Sequence, residues 1–123
     1  PVRAAVLGSP AFDIKLYVPF ARSGLKLMQR FNADAYINSY VRPTMLTHDR
    51  EESAARATDP LISPRISVRV LTSLYETAER VVAGAEGIRT PTLVLSAGSD
   101  WVVHQGAQRR FFEGLGSTDK VWQ

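Results

Sequence analysis

Two short apolar runs without alternation constrain this chain more than any other feature. Ala4-Ala5-Val6-Leu7 is stopped by Gly8-Ser9-Pro10, and Thr92-Leu93-Val94-Leu95-Ser96-Ala97 is entered through Pro91 and left through Gly98. A strand with one wet face alternates apolar and polar residues, because successive side chains point to opposite sides. Continuous runs instead suit strands covered on both faces, the habit of parallel sheets. They predict strands over Val2–Ser9 and Thr92–Ala97. Beyond the second, Val103, Ala107, Phe111 and Leu115 fall at fourfold intervals. They predict a helix that Gly114 and Gly116 end. Asp119–Gln123 begins a third strand. Strand, helix, strand in this order is a crossover unit of an α/β sheet.

Between the two runs no segment reads convincingly as strand. Leu16–Phe31 carries Leu16, Phe20, Leu27, Met28 and Phe31 at helical intervals, with Gly24 as a possible interruption. Ala35–Val41 reads as a short helix. Asp49 with Glu52 three residues on reads as a capping box. Ser63-Pro64 reads as an N-cap followed by a first-turn proline. From there Ile66, Val70, Leu74, Ala78 and Val81 mark one helical face, widened by Val68, Leu71, Tyr75 and Val82. A helical insertion of this length in an α/β fold usually covers something.

Composition narrows the classes. The 123 residues are 45% hydrophobic and 22% charged, ordinary for one globular domain. With no cysteine there is neither a disulfide frame nor a thiolate metal site, which fits a cytosolic setting. No apolar run reaches the length of a membrane helix. Fifteen basic residues against twelve acidic ones leave +3, but the twelve arginines are scattered singly apart from Arg109-Arg110. A phosphate-tracking surface needs basic residues on one face. A solvated, evenly charged surface is the better account, and no nucleic-acid partner is expected. Both ends, PVRAAVLGSP and KVWQ, are strand-like, the pattern of a chain cut within a fold. Such a piece leaves sheet edges unpaired, so self-association into a homo-oligomer is expected.

The search for chemistry narrows to one carboxylate. A nucleophile elbow requires G-x-S-x-G, and Ser9, Ser96 and Ser99 each lack at least one of the two glycines. His48 and His104 have no further ligands at metal-binding spacing, and neither has the context of a general base. No metal or other cofactor is expected. Asp100 stands just past the carboxyl end of a parallel strand, where open α/β sheets place their ligands. It can orient a histidine and stabilise its imidazolium, or it can cap the free amides of Trp101-Val102-Val103-His104. Spacing leaves both readings open.

Four segments together carry a resemblance. LVLSAGSDWVV resembles the strand and acid-bearing turn of α/β-hydrolases, with a glycine two residues before the aspartate. IRTPTLVLSAGSD is similar to the usual proline-led approach to that acid. YVRPTMLTHDREESAARATDPLISPRIS resembles the cap segment of the monoglyceride-lipase and lysophospholipase-like branch (serine aminopeptidase S33 type), where D-P-L precedes a long cap helix. VRAAVLGSPAF resembles the strand that follows the nucleophile helix.

The resemblance implies a partial α/β-hydrolase fold, parallel strands with a helical cap insertion. Residues 1–12 would be the core strand after the nucleophile helix, and 13–83 the cap. Residues 84–123 would be the core strand with the acid turn, a helix and the start of the last strand. It implies that Asp100 is the acid of a Ser-His-Asp triad in a lysophospholipase- or monoacylglycerol-lipase-like ester hydrolase. The serine would precede Pro1 and the histidine would follow Gln123, leaving this stretch inactive alone. The substrate would be a small acyl ester. Leu16, Phe20, Leu27, Met28, Phe31, Met45 and Leu46 are candidates to line the acyl site. The rival reading is an interaction module that keeps hydrolase architecture without its chemistry.

Overall fold

The computed structural model describes residues 2–123; Pro1, first residue of the expected 1–12 segment, lies outside the described residues. The elements in order are β1 (Ala5–Gly8), α1 (Ala21–Phe31), β2 (Tyr36–Asn38), α2 (Arg50–Thr58), β3 (Arg65–Ser67), α3 (Val68–Ala83), β4 (Thr92–Leu95), α4 (Gln105–Gly114) and β5 (Lys120–Trp122). Short 3-10 turns occupy Pro43–Met45 and Ala85–Gly87. Two compact units emerge, Pro1–Lys15 with Tyr75–Gln123, and Leu16–Leu74.

In the first unit β1, β4 and β5 form a parallel sheet with β4 in the middle. Leu7 pairs with Val94, and Val94 with Trp122. Residues of that face enter one cluster in which Val94, Ala85, Phe111 and Leu115 are buried, with Leu7, Phe12 and Trp122 packed against them. The rings of Phe12 and Phe111 lie 4.4 Å apart between centroids. All four residues of the predicted α4 stripe, Val103, Ala107, Phe111 and Leu115, are buried. Val103 belongs to an isolated bridge with Ile14 rather than to the helix.

The expected covering of both sheet faces is found on one. Val6 is 65% exposed and Val121 is 51% exposed, on the face opposite Val94. Alternation was absent from the sequence because both faces are apolar; among the described residues only one is packed. The end of α4 also differs from expectation. No glycine has positive φ, so no left-handed glycine cap forms at Gly114 or Gly116. Instead the Lys120 ammonium donates to the carbonyls of Phe112, Glu113 and Leu115, each at 3.0 Å. A cation at a helix carboxyl end satisfies both its orphan acceptors and its dipole. Gly116 is needed for a different reason, since a Cβ there would lie 1.9 Å from the Glu86 carbonyl oxygen.

The second unit corrects the sequence reading most. Ala35–Val41 is not a helix: Tyr36–Asn38 pairs antiparallel with Arg65–Ser67. Ser63-Pro64 does not start a helix either. Ser63 Oγ accepts from the Arg65 amide at 3.2 Å, and the Pro64 carbonyl accepts from Ser39 N at 2.7 Å, extending the ladder. The helix begins at Val68, and Val68, Leu71, Thr72, Tyr75 and Ala78 form its buried face. Val70 and Leu74, expected on the main stripe, are exposed, and Ile66 lies in β3. Gly24 does not interrupt α1, which starts at Ala21 behind a left-handed Phe20 (φ 57°) rather than at Leu16. Asp49 does cap α2, accepting from Glu51 N at 2.8 Å and Glu52 N at 3.3 Å. The returning bond of the expected box is different, for the Asp49 amide donates to Thr47 Oγ1 at 3.1 Å.

Candidate active site

The site is built on the turn that follows β4. Asp100 is half-buried there. Its Oδ1 accepts from Val102 N at 2.7 Å and from Val103 N at 2.8 Å. Both amides belong to the turn itself, because α4 starts only at Gln105 with His104 in the N-cap position. The two readings left open by spacing are therefore not exclusive. One carboxylate oxygen rigidifies the turn, and Oδ2 accepts no hydrogen bond among the described residues. A carboxylate fixed through one oxygen and open at the other can receive an imidazole N–H, select its tautomer and stabilise the imidazolium.

The turn is held from two sides. The stretch just past β1 runs antiparallel to it through the Ile14–Val103 bridge. His104 N donates to the Asp13 carbonyl and Lys15 N to the Val102 carbonyl, both at 2.8 Å. Lys15 Nζ donates to the Asp100 carbonyl at 2.5 Å. The Tyr75 hydroxyl, from a buried position on α3, donates to the Ile14 carbonyl at 3.4 Å. On the other side Gln108 is fully buried. Its Oε1 accepts from Ser96 Oγ at 2.7 Å, and its Nε2 donates to the Pro10 carbonyl at 3.2 Å. Ser9, at φ 40°, accepts the Ala97 amide on its Oγ at 3.2 Å. Gln105 Nε2 donates to the Ala97 carbonyl. These bonds tie the carboxyl ends of β1 and β4 together.

Gly98 does not supply the turn through special backbone geometry; its φ is not positive and a Cβ there would meet nothing within 4 Å. Rigidity comes from the Asp100 carboxylate and the Asp13–Lys15 stretch. Sequence reasoning missed Lys15 and Gln108. Lys15 left no local signal, since the Asp100 carbonyl that its ammonium meets lies 85 residues away in the chain. Gln108 did leave one, a polar residue beside Ala107 on an otherwise apolar stripe.

The other candidate residues lie apart. His104 is exposed and its side chain makes no capping bond. His48 is exposed and lines an open concavity of about 680 Å³ in the second unit, with Arg42, Thr47 and Arg50. That concavity includes none of Leu16, Phe20, Met28, Phe31 and Met45. Phe20, Met28 and Phe31 are exposed at the start of α1 and along it, whereas Leu16 and Met45 are half-buried. Among the described residues no group of three or more His, Cys, Asp or Glu is placed to hold a metal ion. None of the described helices is long and apolar enough to cross a membrane.

Comparison with known proteins agrees with the fold. The family described as serine aminopeptidase, S33, matches residues 1–123. An uncharacterized protein of Escherichia coli (strain K12), YnbC, is 47% identical over 116 residues. That match takes in 94% of this chain and 20% of YnbC. The monoacylglycerol lipase of Paleococcus ferrophilus superposes with a TM-score of 0.91 at 27% identity, over 99% of this chain and 48% of the lipase. A soluble variant of the Saccharomyces cerevisiae monoglyceride lipase, solved with a substrate analog, shares the fold. Its TM-score is 0.86 at 14% identity, over 99% of this chain and 43% of that one. The chain thus spans a fifth of its curated relative and about half of each lipase. With a parallel sheet and a family match along its whole length, this chain belongs to the serine aminopeptidase S33 family of α/β-hydrolases.

Proposed function

We propose that this chain supplies the acid of a Ser-His-Asp triad to a carboxylic-ester hydrolase of the monoacylglycerol-lipase or lysophospholipase kind. The observation that supports it is the Asp100 carboxylate, held through Oδ1 by two turn amides and open at Oδ2, past the end of the middle parallel strand. The serine attacks an ester carbonyl while histidine takes its proton and passes it to the departing alcohol; histidine then takes a proton from the water that attacks the acyl-enzyme and returns it to the serine as the acid leaves, and Asp100 keeps the imidazole in register. No serine of this chain stands in G-x-S-x-G. The nucleophile and the histidine are accordingly assigned to the longer protein, and residues 1–123 alone do not turn over esters. Segment 13–83 serves as the cap, with Leu16, Phe20, Met28, Phe31 and Met45 as the apolar wall for an acyl chain.

The test is hydrolysis of p-nitrophenyl butyrate by the full-length protein, by its Asp100→Asn variant and by residues 1–123. The expected result is turnover by the first, a loss of about 10³–10⁴-fold in kcat in the second and none by the third. Turnover by residues 1–123 that is abolished by Asp100→Asn would overturn the division of labour. Wild-type kcat in full-length Asp100→Asn would overturn the acid assignment. The outer edges of β1 and β5, which pair with no further strand among the described residues, and the exposed Val6 and Val121 support self-association of residues 1–123 in isolation. A compact monomer in sedimentation would refute that.

A further inference from the structure

We infer that Lys15 is a positioning residue for Asp100, setting the direction of its carboxylate by clasping the acid turn from outside. The inference rests on Asp100 being the triad acid. Lys15 meets the turn twice. Its main-chain N–H donates to the Val102 carbonyl at 2.8 Å, and its ammonium donates to the Asp100 carbonyl at 2.5 Å. The two acceptors flank Trp101, so one residue grips both ends of the segment whose amides hold Oδ1.

The grip matters because of what else holds this stretch. Gly98 and Ser99 are exposed and donate or accept no hydrogen bond among the described residues. Between the bonds at Ser96 and Ala97 and the bonds at Val102 and Val103, the Lys15 ammonium holds the carbonyl of the Asp100–Trp101 peptide. Oδ1 is bonded to amides that follow that peptide, so a rotation of the peptide plane carries the whole carboxylate with it. Oδ2 would then leave the line on which a histidine can be met. A charge-assisted bond from an ammonium is stronger than a neutral one, and it becomes more so as water is excluded.

The clasp itself has a firm base. Lys15 is half-buried, its neighbour Ile14 accepts the hydroxyl proton of buried Tyr75, and Asp13 accepts the His104 amide. The lysine never touches substrate; its effect runs through Asp100. That distinguishes it from Gln108, whose bonds to Ser96 and Pro10 hold the strand ends before the turn begins.

The experiment uses the full-length protein with p-nitrophenyl butyrate, and active serines are counted with a fluorophosphonate so that kcat is expressed per folded site. Lys15→Met is expected to lower kcat roughly ten- to a hundredfold, the scale of a slightly misplaced catalytic group, with KM little changed. Lys15→Arg, which keeps charge and donors, restores most of it. Lys15→Met added to Asp100→Asn costs nothing further, because the lysine works only through the carboxylate. A Lys15→Met enzyme with fewer active sites but wild-type kcat per site would reduce Lys15 to a structural role and overturn the inference. Losses that multiply in the double variant would overturn it too. Full kcat in Asp100→Asn would remove the acid assignment and the inference together, a result distinct from either of those.

Discussion

Asp49 and Asp100 make nearly the same local bonds and end in different structures. Each accepts two consecutive main-chain amides through one carboxylate oxygen, from Glu51 and Glu52 in one case and from Val102 and Val103 in the other. After Asp49 the helix starts at once, with Arg50. After Asp100 the helix waits until Gln105, and the captured amides belong to a turn clasped by Asp13–Lys15. Asp49 is exposed and Asp100 half-buried. The contrast teaches that amide capture by an aspartate does not assign its role. What assigns it is whether the second oxygen faces a place where chemistry can happen, and whether surrounding bonds fix its direction.

The largest effect expected from breaking this comparison is on turnover. In the full-length protein Asp100→Asn should lose about 10³–10⁴-fold in kcat, whereas Asp49→Asn should keep kcat within about twofold, since it caps an exposed helix. Steady-state assays on the two variants side by side measure this. If the two lost activity alike, the distinction between turn and cap would fail.

Next in size is the difference in packing between α4 and α1. Phe111 is 3% exposed on α4, and Phe31 is 83% exposed at the end of α1. Phe111→Ala should destabilise by about 3–5 kcal/mol, as large-to-small changes in packed cores do. Phe31→Ser should change stability by under about 0.5 kcal/mol, yet weaken the preference for long-chain over short-chain esters. Urea denaturation and a chain-length series separate the two effects.

A smaller effect sharpens the capping half. Asp49→Ala should cost about 1 kcal/mol of stability, the ordinary worth of an N-cap aspartate. The loss should show in the denaturation midpoint and leave the chain-length profile unchanged.

The smallest effect lies at alkaline pH in the second unit. Burial, and then the nearby Tyr17 phenol, raise the pKa of Tyr40 above its ordinary value of 10.0. The rings meet edge-on at 5.7 Å between centroids. A phenol whose folded pKa is raised contributes stability that is present below pH 10 and lost as pH rises through the folded value. Tyr40→Phe should therefore flatten the alkaline decline in stability slightly and remove a late-titrating phenol from the absorbance at 295 nm. An unchanged titration curve would count against it.

The sheet was legible because its signals are local. Unalternating apolar runs located β1 and β4, and the fourfold spacing from Val103 to Leu115 located the buried stripe around α4. The residue Asp100 was legible for the same reason, as a carboxylate placed just past a strand end. The second unit was legible only in part. Tyr36–Asn38 finds its partner in Arg65–Ser67, and no local pattern announces a pairing across that distance. The face of α3 was misjudged because its sequence is apolar nearly all round, and only packing chose Val68, Leu71 and Tyr75 over Val70 and Leu74.

By itself, then, the sequence determined the strand type, the α4 stripe and the one acid that merits a catalytic hypothesis, since each depends on side chains close together in the chain. Tertiary structure alone decided how that acid is aimed. Its clasp comes from Asp13, Ile14 and Lys15, and the strand ends around it are tied by Gln108. The physical reason is that a carboxylate's direction is set by hydrogen bonds from groups remote in sequence, and a bond between distant residues leaves no periodicity for either to display.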